Sequence, residues 1–260
     1  YRTSDGGFAA MMYSPCHFKT QISGIDVTVV EKTHYPMDGL VEVELSMSGG
    51  MGIRMPMKFR IPSWAMNSKV TVNGEQIESE AGDVICIERL WKDGDRIVLE
   101  FPMLVRTDTW YENAVSVERG PLVYALKIDE KWEKIKLDPK ERRGEYYWQV
   151  TAGSPWNYAF MFKASIEPLK HFSVCVDEEK LKGKWYWSAA DAPVTIRAKA
   201  TRIQDWTEYN GDTGPLPFSI RRSRIYNGKS SHRAGEMEDI ELIPYGCTTL
   251  RISEFPLVTW

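Results

Sequence analysis

Between Ile53 and Ile61 every second residue is apolar: Ile53, Met55, Met57, Phe59 and Ile61 alternate with Arg54, Pro56, Lys58 and Arg60. Only an extended chain puts residues i, i+2 and i+4 on one side, so this segment can hide its apolar face only as a strand packed on a second layer. Pro56 has no N–H for a ladder, which predicts an edge strand or a bulge there. The same alternation recurs at 41–45, 96–101, 115–117, 172–174, 194–196 and 249–252. Helical periodicity is nearly absent, and the charged stretch 129–143 reads as a loop with at most one turn. Reversals are marked by Asn73-Gly74, Asp93-Gly94, Asn210-Gly211 and Asn227-Gly228, dipeptides that tolerate the positive φ of tight hairpins. Gly120-Pro121 interrupts a strand-like run from Val115 to Lys127, suggesting a bulge or the way into a second domain.

Many short strands with regular turns predict an all-β chain. The expected fold is two consecutive antiparallel β-sandwich (jelly-roll-like) domains, residues 1–107 and 108–260, the polar run Thr107-Asp108-Thr109 marking the boundary. The second domain carries the longer loops, near 129–145, 177–192 and 205–235. A hydrophobic fraction of 43% is ample for two cores.

Charge and hydropathy exclude some functions. The net charge is −3 with both signs interspersed, so no basic stripe offers itself to a phosphate backbone and nucleic acid is not an expected partner. No apolar run approaches the roughly 20 residues of a membrane-spanning helix, so no membrane partner is expected either. The chain opens on Tyr1 without a leader, as a mature secreted chain or a piece of a longer one would. The compartment stays open, leaning to the periplasm or exterior. Cys16, Cys86, Cys175 and Cys247 lie about 70 to 90 positions apart with no close pair, which predicts buried free thiols and leaves room for one long-range disulfide.

Catalytic machinery is hard to find. Acidic pairs such as Glu78/Glu80, Asp93/Asp95 and Glu236/Glu238 arise by chance among 36 acidic residues, and Asp beside a turn glycine is simply a good turn former. Cys16 and His17 would point to opposite faces of a strand, a poor arrangement for sharing a proton. His34, His171 and His232 stand alone, without metal-ligand spacing. No catalytic or metal-binding residue is therefore expected. The remaining signal is aromatic: Trp110 and Tyr111, Trp156, Trp185 and Trp187, and Trp206. Sugar rings stack their C–H faces on such side chains, so these six are candidate carbohydrate contacts. On a strand, Trp185 and Trp187 would share a face. Core or interface packing is the competing reading of each.

Six stretches taken together carry a resemblance: Tyr35-Pro36-Met37-Asp38-Gly39, Phe59-Arg60-Ile61-Pro62-Ser63-Trp64, Val70-Thr71-Val72-Asn73-Gly74, Trp91-Lys92-Asp93-Gly94-Asp95, Glu118-Arg119-Gly120-Pro121-Leu122-Val123-Tyr124 and Leu242-Ile243-Pro244-Tyr245-Gly246. In this order they resemble the bacterial β-L-arabinofuranosidase family of glycoside hydrolases. The resemblance implies two β-sandwich domains that follow a catalytic (α/α)6 barrel, with Tyr1 to Tyr13 leading into the first. It also implies that the barrel holds the cysteine nucleophile, a glutamate acid/base and zinc. This chain has no adjacent cysteines, so none of those roles carries over to any position and no cofactor is expected in it. The expected function is thus that of a non-catalytic region buttressing the barrel, able to mediate homodimerisation, in a parent acting on a plant-derived glycan. The alternative is a carbohydrate-binding module using the loop aromatics.

Overall fold

The computed structural model describes residues 1–138, 140, 144–161, 170–183, 185–217 and 234–258. It is nearly all β, 52% strand and 5% helix. The chain divides into two compact units, Tyr1–Leu104 and Val105–Trp260.

The first unit holds β1 (Phe8–Ala10), β2 (Cys16–Ile22), β3 (Ile25–Thr33), β4 (Leu40–Met47), β5 (Ile53–Arg60), β6 (Lys69–Val72), β7 (Glu75–Ile77), β8 (Val84–Trp91) and β9 (Arg96–Glu100). They form two sheets, β2-β3-β4-β9-β6-β7 and β1-β5-β8. The alternation seen in the sequence sets which side is buried. Val41, Val43 and Leu45 of β4, Val70 and Val72 of β6, and Ile97 and Leu99 of β9 share one core cluster with Met55, Met57 and Phe59 of β5. Full burial of each such side chain is worth roughly 1.5–3 kcal/mol, enough in sum to specify the register.

Pro56 does not put β5 at an edge. The strand is central, paired in unbroken antiparallel register with β8 and in parallel with β1. Its β1 partner begins only at Met57, opposite Phe8, so Pro56 lies just before that side of the ladder is filled. Asn73-Gly74 is the two-residue β6–β7 hairpin turn, with φ of 53° and 86°. Ser23-Gly24 makes a like turn between β2 and β3. Asp93-Gly94 is not a hairpin, because β8 and β9 belong to different sheets. There Asp93 Oδ1 accepts the Met47 N–H at 2.7 Å, while Asp95 accepts from the Asn73 side-chain amide and the Lys92 N–H, each at 2.9 Å. These carboxylates fasten a sheet crossing.

The second unit holds β10 (Val105–Thr109), β11 (Val115–Arg119), β12 (Leu122–Leu126), β13 (Glu130–Lys136), β14 (Tyr146–Ala152), β15 (Tyr158–Ala159), β16 (Phe172–Val176), the one-turn helix α1 (Glu178–Leu181), β17 (Val194–Ile203), β18 (Glu208–Tyr209), β19 (Asp212–Thr213), β20 (Ala234–Pro244) and β21 (Glu254–Phe255). The main sheet runs β10-β11-β12-β20-β17-β15, with β16 also on β17 and β21 also on β11. A parallel bridge between Phe160 and Leu257 joins the residue after β15 to the segment after β21, with the Phe160 N–H on Pro256 O and the Val258 N–H on Phe160 O, both at 2.9 Å. Phe160 packs on Phe172 and Phe255 at centroid distances of 5.4 and 4.7 Å.

Several local expectations change here. Val115 to Lys127 is not one strand: Gly120-Pro121 is the two-residue turn of the β11–β12 hairpin, with Arg119 opposite Leu122 and Gly120 at φ 57°. Asn210-Gly211 turns β18 into β19, whereas Asn227-Gly228 and His232 lie outside the described residues. Residues 249–252 form no strand, because the Thr249 and Leu250 N–H groups donate to the Glu130 carboxylate instead of a ladder. Within the stretch read as a loop at 129–143, residues 130–136 are strand β13, paired with β14 from Glu130↔Ala152 to Lys136↔Tyr146. The cysteines are free, as expected, but Cys16 and Cys86 are exposed rather than buried.

Candidate functional site

The sequence-predicted aromatics do not converge. Trp110 comes nearest to a site. It caps β10, whose register with β11 runs from Val105↔Arg119 to Thr109↔Val115. A short 3-10 turn, Tyr111–Asn113, reverses the chain with Glu112 and Asn113 at φ 53° and 57°. The indole is held rather than loose: Nε1 donates to Ser116 Oγ at 2.9 Å, and that hydroxyl donates to Glu118 Oε1 at 3.1 Å. Glu118 is ion-paired with Arg106, whose other Nη donates to Gly120 O at 2.7 Å. With 55% of its surface exposed, Trp110 is oriented and still accessible.

Beside it runs an open groove of about 440 Å³, lined by Trp110, Leu122, Tyr245, Ser253 and Glu254 among others. Tyr245 carries the Arg251 guanidinium 4.6 Å from its ring centroid. Two aromatic rings, hydroxyls and a carboxylate suit a small polar ring such as a sugar. Glu118 is already committed to Arg106, so the groove offers no evident pair of carboxylates for acid/base work.

Elsewhere the aromatics mostly pack. Trp206 is buried and donates through Nε1 to Gly214 O at 3.1 Å. Trp156 meets it edge to face at 5.1 Å. Trp185 and Trp187 are not on a strand. Trp185 is exposed, while Trp187 packs on Ala192, Ile243 and Cys247 and lies so close over Gly246 that a Cβ there would meet the ring at 2.8 Å. They form no shared platform. Tyr111 is exposed, and its hydrogen bond with Glu112 raises its pKa.

The thiols point away from nucleophilic use. Burial, with Asp191 nearby, pushes Cys247 up to about 11, and its Sγ donates to Tyr186 O at 3.1 Å. Burial and the neighbouring Glu31 also raise Cys16. A reactive thiolate needs the opposite shift. Among the described residues no three His, Cys, Asp or Glu side chains come together as a metal site.

Two further surfaces stand out. In the first unit, Tyr1, Met12 and Phe18 are exposed around a cavity of about 120 Å³ also lined by Phe8 and Met11. In the second, the β13–β14 hairpin exposes Trp132, Tyr146 and Trp148. The loop reading of 129–143 hid this hairpin. The alternation of Trp132, Lys134 and Lys136 against Lys131, Glu133 and Ile135 was the available signal, obscured by charge on both faces.

Two all-β units built of antiparallel sheets define the class: a β-sandwich protein. Residues 7–103 match the family model described as the middle domain of GH127 β-L-arabinofuranosidases. Among solved structures, the whole chain aligns with 34% of a GH127 β-L-arabinofuranosidase from Geobacillus stearothermophilus T6, at 22% identity and TM-score 0.58. Ninety-six per cent of it aligns with 35% of a second GH127 β-arabinofuranosidase, at 19% identity and TM-score 0.57. A structure described as a glycoside hydrolase covers 95% of it with 35% of its own length, at 20% identity and TM-score 0.52. No curated protein sequence matches the chain. The chain spans about a third of the length of the structures it matches, and the resemblance to the β-L-arabinofuranosidase family read in the sequence is borne out.

Proposed function

We propose that the chain is the accessory β-sandwich region of a β-L-arabinofuranosidase-like glycoside hydrolase, and that it buttresses the catalytic (α/α)6 barrel of its parent. The observation that carries this reading is that the chain, over its full length, follows one third of a GH127 enzyme, with residues 7–103 matching that family's middle domain. The exposed apolar side chains Tyr1, Met12 and Phe18, gathered around one cavity, support it, since clustered exposed apolar surface marks contacts with other domains. In this reading the zinc and the cysteine nucleophile belong to the barrel, the glycan is plant-derived, and homodimerisation runs through the sandwiches. The test is hydrolysis of a nitrophenyl arabinofuranoside panel by the purified chain. No turnover above background is expected, and turnover that survives repurification would overturn the reading.

A second reading, carbohydrate contact, is favoured by the oriented indole of Trp110 over its groove. Calorimetric titration with arabinose-containing oligosaccharides should give millimolar or tighter binding that Trp110→Ala abolishes. Absence of heat with the native chain would sink it.

A further inference from the structure

We infer that the aromatic face of the β13–β14 hairpin is a binding surface for acidic, uronate-bearing polysaccharide. Register places Trp132, Lys134 and Lys136 on the same face as Val150, Trp148 and Tyr146, their cross-strand partners. The rings set one another: Trp132 and Tyr146 each meet Trp148 edge to face with centroids 6.2 Å apart. Lys134 Nζ sits 3.5 Å from the Tyr146 centroid and 6.0 Å from that of Trp148. The three rings stay 45–52% exposed. This face costs free energy in water, and none of its three rings is among the buried residues.

Size and charge select the occupant. A large aromatic buries about 150–250 Å², so three half-covered rings present roughly 300 Å², well short of the ~800 Å² per partner of a stable protein interface. A few sugar rings fit that area. The charge on the face is positive, from Lys134 and Lys136. Its single acid, Glu130, is already occupied by the Thr249 and Leu250 N–H groups, the Thr248 hydroxyl and the Trp132 indole N–H. Glu133, by strand alternation, falls on the opposite face. Ring faces for C–H stacking beside ammonium groups match a sugar that carries a carboxylate. A single-stranded nucleic acid would also stack, but two lysines on a chain of net charge −3 neutralise few phosphates. The choice of a polysaccharide over other ring-bearing anions rests on the glycoside-hydrolase reading, whereas the surface itself does not.

The test is affinity electrophoresis of the full chain in native gels containing polygalacturonate, its fully methyl-esterified form, neutral arabinan, or poly(U). Retardation is expected in polygalacturonate alone. Trp148→Ala should weaken it about tenfold, the loss of one stacked ring, and Lys134→Gln several-fold, with unchanged circular dichroism. The lysine variant, at an exposed side chain, guards against misfolding as the cause. Unretarded migration, equal retardation by the methyl ester or arabinan, retardation by poly(U), or indifference to both substitutions would overturn the inference. Hydrolysis of arabinofuranosides by the chain would instead remove the accessory-region reading and leave the binding result standing.

Discussion

The carboxylate of Glu130 accepts the backbone N–H of Thr249 at 2.6 Å, joining positions 119 residues apart. The same Oε1 takes the Leu250 N–H and the Thr248 hydroxyl, each at 3.1 Å. One side chain at the base of the β13–β14 hairpin therefore satisfies backbone donors in a stretch that lacks a ladder partner. Partial burial works against its charge, yet these donors and the Trp132 indole outweigh it and hold the pKa below the usual glutamate value. Hydrogen bonds to charged groups are worth about 1.5–3 kcal/mol. Discounted for partial exposure, Glu130→Ala should cost about 1–2 kcal/mol, read as a lower urea midpoint. Because the folded pKa is depressed, this contribution is present above the unfolded pKa and fades as pH falls through the folded one. The difference between native chain and Glu130→Ala should narrow in acid.

Glu31 has the opposite sign. It is buried at 7% exposure, and desolvation raises its pKa although the Ser14 N–H donates to it at 2.7 Å. The folded chain then binds a proton more readily than the unfolded one, so this group favours folding at low pH and disfavours it once pH passes its folded pKa. Glu31→Gln, which keeps an acceptor for Ser14, should raise the melting temperature at pH 7 and change it less at pH 4. A substitution effect independent of pH would contradict this assignment.

Two glycines of the first unit separate backbone strain from steric exclusion. A Cβ on Gly74, at φ 86°, meets nothing within 4 Å, so Gly74→Ala should cost only the left-handed penalty, about 1–2 kcal/mol. A Cβ on Gly7 would lie 1.9 Å from Pro56 O, backbone against backbone. Gly7→Ala must push β1 off β5 and should cost about 3 kcal/mol, the upper end of an overpacking penalty. Equilibrium unfolding of the two variants should rank them in that order.

Thiol reactivity follows exposure and charge. Cys86 is exposed, whereas Cys247 is buried with a pKa near 11. Mass-spectrometric mapping after brief iodoacetamide treatment at pH 8 should find Cys86 alkylated and Cys247 untouched until the chain is unfolded. Cys16 is exposed, but burial and the neighbouring Glu31 raise its pKa, so lowering the treatment to pH 7 should slow its alkylation further.

What the sequence made legible is what local physics decides. The alternation in 53–61 specified β5 because each odd side chain gains by burial, and Asn73-Gly74 specified its hairpin because positive φ is a local property. Sheet partners are not local. Nothing in Asp93-Gly94 says that β8 and β9 part into different sheets, since that depends on Asp93 reaching Met47 and Asp95 reaching Asn73. The β13–β14 hairpin was lost for a related reason: with both faces in water it has no apolar-polar contrast, and its partner strand begins ten residues after it ends. Among the aromatics, Trp206 and Trp110 look alike as letters. Only the fold decides that one donates into a loop from the interior and the other is fixed at a groove.

Trp91 offers the sharpest single test of the first core. It is fully buried at the end of β8, and its Nε1 donates to Met55 O at 3.0 Å across the three-stranded sheet. Arg89 lies 5.4 Å from its ring centroid. Trp91→Phe keeps most of the apolar volume but leaves the Met55 carbonyl without its donor in a dry site, a penalty of about 1–3 kcal/mol. Trp91→Ala adds an unfilled cavity and should cost about 3–5 kcal/mol. The gap between the variants measures packing, and the loss in Trp91→Phe measures the hydrogen bond. Urea denaturation of both, monitored by circular dichroism, should show the alanine variant at or beyond the limit of stable folding. Were Trp91→Phe to cost as much as Trp91→Ala, the buried hydrogen bond rather than ring volume would be what ties β8 to β5.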